Sequence, residues 1–249
     1  MCQTMYILKV NNLVKTFTGR TVVNNVSFDV SEREIVGLLG RNGAGKTTSF
    51  RMTMGMITPD AGQVIFDGQD VTRLAMYQRA QRGMGYLSQE PSVFQRLTVE
   101  QNLHAILETR PLSRSQRKQK AEQLMEQFDL TKTRKQLART LSGGERRKLE
   151  IARALITEPQ LILLDEPFSG VDPVAVEDLQ REIRRLREEQ NIAMLVTDHN
   201  VQHILAVCDR VYVIFDGNVF AEGTPKQIIN NEQVRKLYLG STFKGDEFD

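Results

Sequence analysis

The chain has 249 residues, of which 40% are hydrophobic and 26% charged, and its formal net charge is only +2. This balance is typical of a globular protein and gives no strong basic field, so we expect no nucleic-acid partner. No apolar run approaches the ~18 residues of a membrane span, and residues 1–5 carry no signal-peptide pattern. The two cysteines suggest no disulfide framework. We therefore expect a cytoplasmic protein that associates with membranes only through partners.

The first part of the chain predicts short strands separated by turns. Apolar or alternating segments at Tyr6–Val10, Val22–Val23 and Val26–Val30 each predict a strand, and Gln63–Gly68 predicts another that ends in a turn. Parallel strands with crossover helices are expected later in the chain, where the apolar segments Leu161–Leu164, Ala193–Val196 and Val211–Phe215 alternate with helical patterns.

A glycine-rich loop from Gly40 to Thr47 matches the phosphate-binding pattern G-x-x-x-x-G-K-[ST]. A buried strand enters this loop and a helix leaves it, so backbone N–H groups and the positive end of the helix dipole face the phosphates. Lys46 is expected to contact the β- and γ-phosphates, and Thr47 to ligate Mg²⁺. The predicted nucleotide contacts are Gly40, Arg41, Asn42, Gly43, Ala44, Gly45, Lys46, Thr47 and Thr48.

Residues 90–140 have a helical character that differs from their surroundings. Thr98 and Gln101 have the spacing of a capping box, and Ala121, Leu124 and Phe128 continue a helical apolar pattern. We therefore predict a helical subdomain inserted in an α/β core. Gln89 follows a short strand just before this insert, a position from which it could contact Mg²⁺ and the attacking water.

The segment Leu141–Glu145 contains Ser142, Gly143 and Gly144 immediately before a helical stretch. Ser142 and Glu145 have the spacing of an ordinary capping box, which is the simpler interpretation of this segment. A cap does not require two glycines, however. We therefore predict that they let a phosphate of another molecule, the ATP held by a second copy, approach the helix N-terminus.

Two carboxylates, Asp165 and Glu166, end the buried strand that begins at Leu161. Because α/β sheets bind ligands at the carboxyl ends of their strands, Asp165 is predicted to hold Mg²⁺ and Glu166 to act as the general base toward water. The alternative is an acidic loop without chemistry. The phosphate-binding loop in the same chain favours the catalytic interpretation.

His199 follows the next apolar strand, where it could hydrogen-bond the γ-phosphate and detect its loss. His203 lies four residues further on, a spacing that also occurs in metal sites, but no third ligand is evident. We therefore expect His203 to lie on a solvated helical face.

These residues resemble the ABC-type ATPases over essentially the whole chain. Gly40–Thr47 resembles the Walker A motif, and Leu161–Glu166 resembles the Walker B motif. Gln89 resembles the Q-loop residue, and Leu141–Glu145 resembles the signature. Ser169–Asp172 resembles the D-loop, and His199 resembles the switch histidine. Phe17 lies where this family stacks an aromatic ring on adenine, although tyrosine is commoner there. The resemblance implies a head-to-tail homodimer that binds ATP and Mg²⁺ between Walker A and the opposite signature, together with a pair of membrane subunits.

The fold implied by the resemblance is an α/β P-loop NTPase of the ABC type. It has a mainly parallel sheet, an antiparallel N-terminal β subdomain and an inserted helical subdomain. A single ABC ATPase domain would then span 1–249. Its α/β core with the β subdomain would occupy 1–89 and 141–235, its helical subdomain 90–140 and a C-terminal tail 236–249.

Within the family, the motifs are most similar to the ATPases of lipopolysaccharide export. Glu145, where most members have Gln, supports this. The similarity implies membrane subunits resembling LptF and LptG, with LptC attached, on the cytoplasmic face of a bacterial inner membrane. The alternatives are the ATPase of a branched-chain amino-acid importer and a non-transport ABC ATPase acting on ribosomes or DNA.

Phe94 lies at the junction of the core and the helical insert, near the loop where ABC transporters receive the coupling helix of a membrane subunit. Aromatic residues beside polar ones are favoured anchors at interfaces, so we predict a partner contact at Phe94. The alternative is that Phe94 packs beneath the helical insert.

Overall fold

A computed structural model describes residues 6–239. Residues 1–5 and 240–249, which include Cys2 and most of the predicted C-terminal tail, lie outside the described part. The strands are β1 (Tyr6–Phe17), β2 (Arg20–Ser31), β3 (Ile35–Leu39), β4 (Ala61–Phe66), β5 (Gln69–Asp70), β6 (Met84–Leu87), β7 (Leu161–Asp165), β8 (Ala193–Thr197), β9 (Arg210–Phe215) and β10 (Asn218–Gly223).

The α-helices follow the phosphate-binding loop and separate the later strands. They are α1 (Lys46–Met54), α2 (Met76–Gln81), α3 (Val99–Leu107), α4 (Arg114–Gln127), α5 (Gly143–Leu155), α6 (Pro173–Gln190), α7 (Val201–Val207), α8 (Pro225–Asn230) and α9 (Glu232–Val234). Within residues 6–239, none of the helices is both long and apolar enough to cross a bilayer.

The described strands form two sheets. A four-stranded antiparallel sheet has the order β2-β1-β4-β5, and a six-stranded sheet has the order β10-β9-β3-β8-β7-β6. In the larger sheet only β10 is antiparallel to its neighbour. The predicted fold class, a mainly parallel sheet with an antiparallel N-terminal sheet and helices, is therefore confirmed.

The larger sheet lies between two apolar layers. Side chains of one face, such as Leu38 and Leu163, pack with the antiparallel sheet and with α1. Those of the other face, such as Leu39 and Leu164, share a cluster with α5, α6 and the helices of the insert. The alternation of side chains along each strand thus joins the insert and the N-terminal sheet to opposite faces of one core.

The two N-terminal strands are longer and more continuous than the sequence predicted. β2 runs through both of the predicted short strands, and Asn25, which separates them, has a φ of 58°. Asn12 interrupts β1 in the same way with a φ of 49°, and the β1–β2 register shifts around it. Asn tolerates this left-handed conformation, so these residues form bulges inside strands and not the turns that the sequence suggested.

Arg79 closes the C-terminal end of α1, the helix that leaves the phosphate-binding loop. Its side chain is 1% exposed, and all four of its hydrogen bonds go to backbone carbonyls. It donates to Met52 O (2.9 Å), Thr53 O (2.5 Å), Thr72 O (2.8 Å) and Leu74 O (3.0 Å). Since the last carbonyls of a helix lack partners within it, this cation both satisfies them and complements the negative end of the helix dipole.

The insert contains the helices that its apolar pattern predicted. Thr98 caps α3 together with Gln101, as expected from their spacing. Leu103 and Leu107 of α3, and Leu124 of α4, are buried in the shared core. The insert is therefore packed on the central sheet through the face that its sequence indicated.

Candidate functional site

The phosphate-binding loop surrounds a cavity of about 280 Å³ at the carboxyl end of β3. Gly45 precedes α1 with a φ of 106°, and a Cβ built on it would lie 2.7 Å from Val22 O, so no other residue fits there without strain. The cavity is lined by Val22, Arg41, Asn42, Gly43, Gly45, Lys46, Thr47, Thr48 and Glu166. The predicted loop residues and the predicted base thus face the same space.

Lys46 is buried at the base of this cavity. Its ammonium group donates to two carbonyls of its own loop, Gly40 O and Arg41 O, the latter at 3.1 Å. Burial lowers the pKa of Lys46, whereas the nearby Glu166 and Asp198 carboxylates oppose that decrease. These carbonyl bonds hold the cation at the loop.

Glu166 lies between the other two predicted catalytic side chains. Its Oε2 accepts a hydrogen bond from Gln89 Nε2 at 2.9 Å and lies 3.2 Å from His199 Nδ1. The Glu166 backbone has a φ of 44° and its N–H donates to Thr197 O at 2.8 Å, which turns the chain at the end of β7. Residues separated by more than a hundred positions in sequence therefore meet at one carboxylate.

Asp165, the last residue of β7, is buried beside this carboxylate. Burial raises its pKa and Glu166 adds to the increase, whereas Arg51 opposes it. The Tyr86 hydroxyl lies 3.5 Å from Asp165 Oδ2, a long hydrogen bond that leaves the carboxylate available to a cation. A carboxylate such as that of Asp165 and a hydroxyl such as that of Thr47, in the first turn of α1, are oxygen ligands of the kind that Mg²⁺ prefers.

Asp198 is buried between the two histidines of the following segment. Its Oδ1 accepts from Asn200 N at 2.8 Å and lies 3.6 Å from His199 Nδ1 and 4.0 Å from His203 Nδ1. Burial raises the pKa of Asp198 and lowers that of His203. Burial thus favours the neutral form of both groups.

The expectation of a solvated His203 was wrong. Its side chain is 26% exposed, and its ring packs edge-on against Phe168 with 5.2 Å between ring centroids. The helical spacing gave the position of His203 on α7 but not the neighbour that covers it. Within residues 6–239, no three His, Cys, Asp or Glu side chains are arranged to hold a metal ion, which leaves the metal alternative unsupported.

The signature segment forms the predicted capping box at the start of α5. Ser142 Oγ accepts from Glu145 N at 3.2 Å, and Ser142 N donates to Glu145 Oε2 at 2.9 Å. A Cβ on Gly143 would lie 2.9 Å from Gly170 O, and one on Gly144 would lie 2.8 Å from the Ala175 Cβ. The two glycines therefore have a packing role within the chain, besides any role toward a second molecule.

Arg147 connects α5 to the two segments that carry the catalytic residues. Its buried guanidinium donates to Ser88 O at 2.8 Å, to Pro167 O at 3.1 Å and to Glu150 Oε2 at 2.9 Å. Glu150 in turn accepts from Ser92 N at 2.6 Å. The backbone on either side of Gln89, and the residue after Glu166, are thereby held by one helix.

The two aromatic residues singled out in the sequence both lie at the surface. Phe94 is 43% exposed, and the Arg153 guanidinium lies 4.5 Å from its ring centroid. This exposure argues against the alternative that Phe94 packs beneath the insert. Phe17 is 42% exposed at the end of β1, and neither it nor Ser142 is among the residues that line the phosphate cavity.

Sequence reasoning missed Val22, Tyr86, Arg147 and Asp198. Val22 and Tyr86 lie on strands whose side chains reach the site, but a strand pattern does not show which residue does so. Asp198 had a usable signal, since it precedes His199 at the end of a buried strand, where ligands gather in α/β sheets.

Comparison with known proteins shows the family of this chain. A family model described as "ABC transporter" matches residues 23–169, and one described as "Branched-chain amino acid ATP-binding cassette transporter" matches residues 218–244. The lipopolysaccharide export system ATP-binding protein LptB of Haemophilus influenzae is 52% identical over 96% of this chain and 100% of its own length. LptB of Escherichia coli K12 is 50% identical with the same coverage.

The fold has close counterparts among solved structures. The ADP conformation of MJ1267, an ATP-binding cassette of an ABC transporter, superposes with a TM-score of 0.84 at 29% identity, covering 96% of this chain and all of the other. The family model that matches residues 23–169 includes the phosphate-binding loop, the signature and the strand that ends at Asp165. The chain therefore belongs to the ABC transporter ATPases and is LptB-like.

Proposed function

We propose that this chain is the ATP-hydrolysing subunit of a transporter that extracts lipopolysaccharide from the inner membrane for export to the outer membrane. The observation that carries the proposal is the identity of 50–52% to LptB proteins, which extends over their entire length. The match to the branched-chain amino-acid transporter model, by contrast, covers only residues 218–244. The importer alternative therefore has the weaker support.

In this proposal, ATP binds with its phosphates in the cavity lined by residues of the Gly40–Thr48 loop. Lys46 exchanges its bonds to Gly40 O and Arg41 O for bonds to phosphate oxygens, a change that needs only a side-chain movement. Phe17 is proposed to stack on the adenine ring. Its exposed position on the hairpin that also carries Val22, a cavity-lining residue, supports this role.

Mg²⁺ is proposed to bind Thr47, Asp165 and Gln89, and when bound it neutralises charge on the phosphates. The fit rests on the buried Asp165 carboxylate, whose Oδ2 has only the 3.5 Å contact with the Tyr86 hydroxyl. Gln89 would have to reorient to join this set, because its amide nitrogen donates to Glu166 and its amide oxygen would have to face the cation.

Glu166 is proposed to accept the proton of the attacking water. Its Oε2 is shared by Gln89 and His199, so both side chains orient the carboxylate before substrate binds. His199 is proposed to contact the γ-phosphate from the same side. Its distance of 3.2 Å from Glu166 supports a role in coupling the state of the phosphate to that of the base.

The active form is proposed to be a head-to-tail homodimer in which Ser142, Gly143 and Gly144 contact the ATP of the partner. The start of α5 supports this role, because Ser142 and Gly143 are exposed and a helix N-terminus attracts phosphate. These three residues are absent from the cavity lining of their own chain among the described residues. A site completed by a second copy accounts for that separation.

The membrane partners are proposed to be subunits resembling LptF and LptG, with LptC in the complex. Phe94 is the proposed coupling contact, since an exposed aromatic ring stacked by Arg153 is an anchor of the kind that interfaces favour. The protein would then lie on the cytoplasmic face of the inner membrane, held there by these partners.

We also propose that 90–140 acts as a helical subdomain within a single domain spanning 1–249, with its core at 1–89 and 141–235 and its tail at 236–249.

Co-purification from detergent-solubilised membranes tests the proposal. The tagged chain should retain LptF and LptG and hydrolyse ATP in the purified complex, and Glu166→Gln should retain both partners without hydrolysis. Recovery of branched-chain amino-acid permease subunits would instead favour the importer. Recovery of ribosomes or DNA in place of membrane proteins would contradict transport altogether.

A further inference from the structure

The second histidine of the switch segment, His203, has no role in the function proposed above. It lies on α7, and its ring contacts two segments that carry catalytic residues. One is Phe168, two residues after Glu166, and the other is Asn200, next to His199. A side chain in this position can affect the geometry between Glu166 and His199 without contacting ATP.

The hydrogen bonds around Asn200 determine which nitrogen of His203 carries the proton. Asn200 caps α7, and its Oδ1 accepts from Gln202 N at 2.9 Å. The other end of the amide, Nδ2, therefore faces His203 Nε2 at 3.3 Å and donates to it. Because Nε2 must then be the acceptor, the ring is neutral and its proton is on Nδ1.

The remaining contacts of the ring agree with this tautomer. The Nδ1–H group is buried and points toward the Asp198 carboxylate, whose Oδ1 lies 4.0 Å away. The Asp198 Oδ2 atom is also buried without a hydrogen bond. A small movement of either side chain would let Nδ1–H donate to Asp198, and that bond would then stabilise the tautomer with its proton on Nδ1.

The charged groups around His203 come from each element packed against it. The loop after β8 contributes Asp198 and His199, and α6 contributes Glu177, which lines the same cavity of about 420 Å³ as His203. A proton added to Nε2 would place two donors face to face, since Asn200 Nδ2 occupies that side. Asn200 would then have to move, and the adjoining His199 with it.

We propose that His203 is a positioning residue: its neutral ring holds Asn200, and through the adjoining backbone holds His199 within reach of Glu166. This inference rests on the proposed function, in which Glu166 and His199 act on ATP. It adds that the proton on His203 controls their geometry. Burial, which lowers the pKa of His203, favours the active, neutral form.

Two substitutions at His203 distinguish the role of its hydrogen-bond acceptor from that of its aromatic ring. His203→Phe keeps an aromatic ring against Phe168 but removes the acceptor, so kcat should fall about tenfold while the KM for ATP stays within about twofold. His203→Gln offers an amide oxygen to Asn200 and should restore most of the rate at neutral pH. The control is His104→Gln, which changes the histidine on α3 and should leave both constants unchanged.

The pH profile gives a readout that a purely structural role would not change. Between about pH 7.5 and about pH 5.5, wild-type kcat should decrease about threefold more than that of His203→Gln, which has no imidazole to protonate. The proposal would be overturned if a folded His203→Phe variant had the kcat of wild type. It would also be overturned if kcat decreased equally at acidic pH in wild type and in His203→Gln. Thermal unfolding of each variant shows whether it is folded.

Nitrogen-15 NMR of the imidazole rings tests the same idea without activity. At neutral pH, His203 should have its proton on Nδ1, and its titration should move the Asn200 side-chain amide resonance. A proton on Nε2 would overturn the proposal. If instead the wild-type protein does not hydrolyse ATP but shows this tautomer and coupling, the proposed function fails while the positioning contact stands.

Discussion

Replacing Arg79 with Met should destabilise the protein by an amount that its contacts allow us to estimate. The change removes the donor to Thr53 O, a buried carbonyl at the end of α1, and the donors to two partly buried carbonyls. Met52 O loses one of its two donors and keeps the bond from Gly55 N. A buried acceptor left without a donor costs about 1–3 kcal/mol. The substitution also removes a buried charge whose hydrogen bonds go only to carbonyls, and the cost of burying that charge offsets part of the loss. We therefore expect the free energy of unfolding to decrease by about 2–4 kcal/mol.

Urea denaturation followed by circular dichroism measures this loss by linear extrapolation. Arg82→Met is the matched control, since Arg82 also lies near the end of α2 but is exposed and donates only to Gln78 O. It should change the free energy of unfolding by less than about 0.5 kcal/mol. The argument fails if the two variants are equally stable. Burial lowers the pKa of Arg79 to about 10, so the guanidinium is charged throughout such an experiment at neutral pH.

Other predictions concern the nucleotide site and the partner surface. Glu166→Gln should abolish turnover and retain ATP binding, because it removes the base and keeps the phosphate cavity; hydrolysis within about threefold of wild type would contradict the assignment. Lys46→Ala should weaken ATP binding measured by calorimetry, and unchanged affinity would count against the loop. Ser142→Arg should stop hydrolysis without changing the ATP affinity of the monomer, and full activity in a defined heterodimer with Lys46→Ala would exclude a shared site. Phe94→Ala should keep its melting temperature and ATPase activity but lose co-purification with the membrane subunits; a strongly destabilised variant that still co-purifies would refute the interface.

The parts of the site that the sequence predicted are those in which a residue type is required by its backbone position. Gly45 needs a left-handed φ, and Asp165 and Glu166 stand at a strand end where ligands bind. Such requirements are local, so they remain visible in a pattern. The alternation of apolar strands and helices predicted the parallel strands, whereas the antiparallel N-terminal sheet was expected only from the family resemblance.

The parts that the sequence did not predict depend on contacts between distant segments. Arg147 and Arg79 look like ordinary helical arginines, yet both are buried against carbonyls of other segments. His203 was misinterpreted because helical spacing gives the direction of a side chain and not what covers it. The short strands predicted in the first part of the chain proved to be continuous, because the left-handed conformation of Asn12 and Asn25 serves bulges as well as turns.

The packing of Gly143 against Gly170, and of Gly144 against Ala175, has a consequence for how variants of this protein are selected. A side chain added at either glycine would come too close to atoms of its own chain before any partner is met. In a mutational library these two positions would be depleted even under selection for folding alone. Ser142 is exposed and its side chain bonds with Glu145, so its replacement costs the cap of α5 but meets no steric barrier. Selection for ATP turnover should therefore deplete Ser142 variants much more strongly than selection for folding.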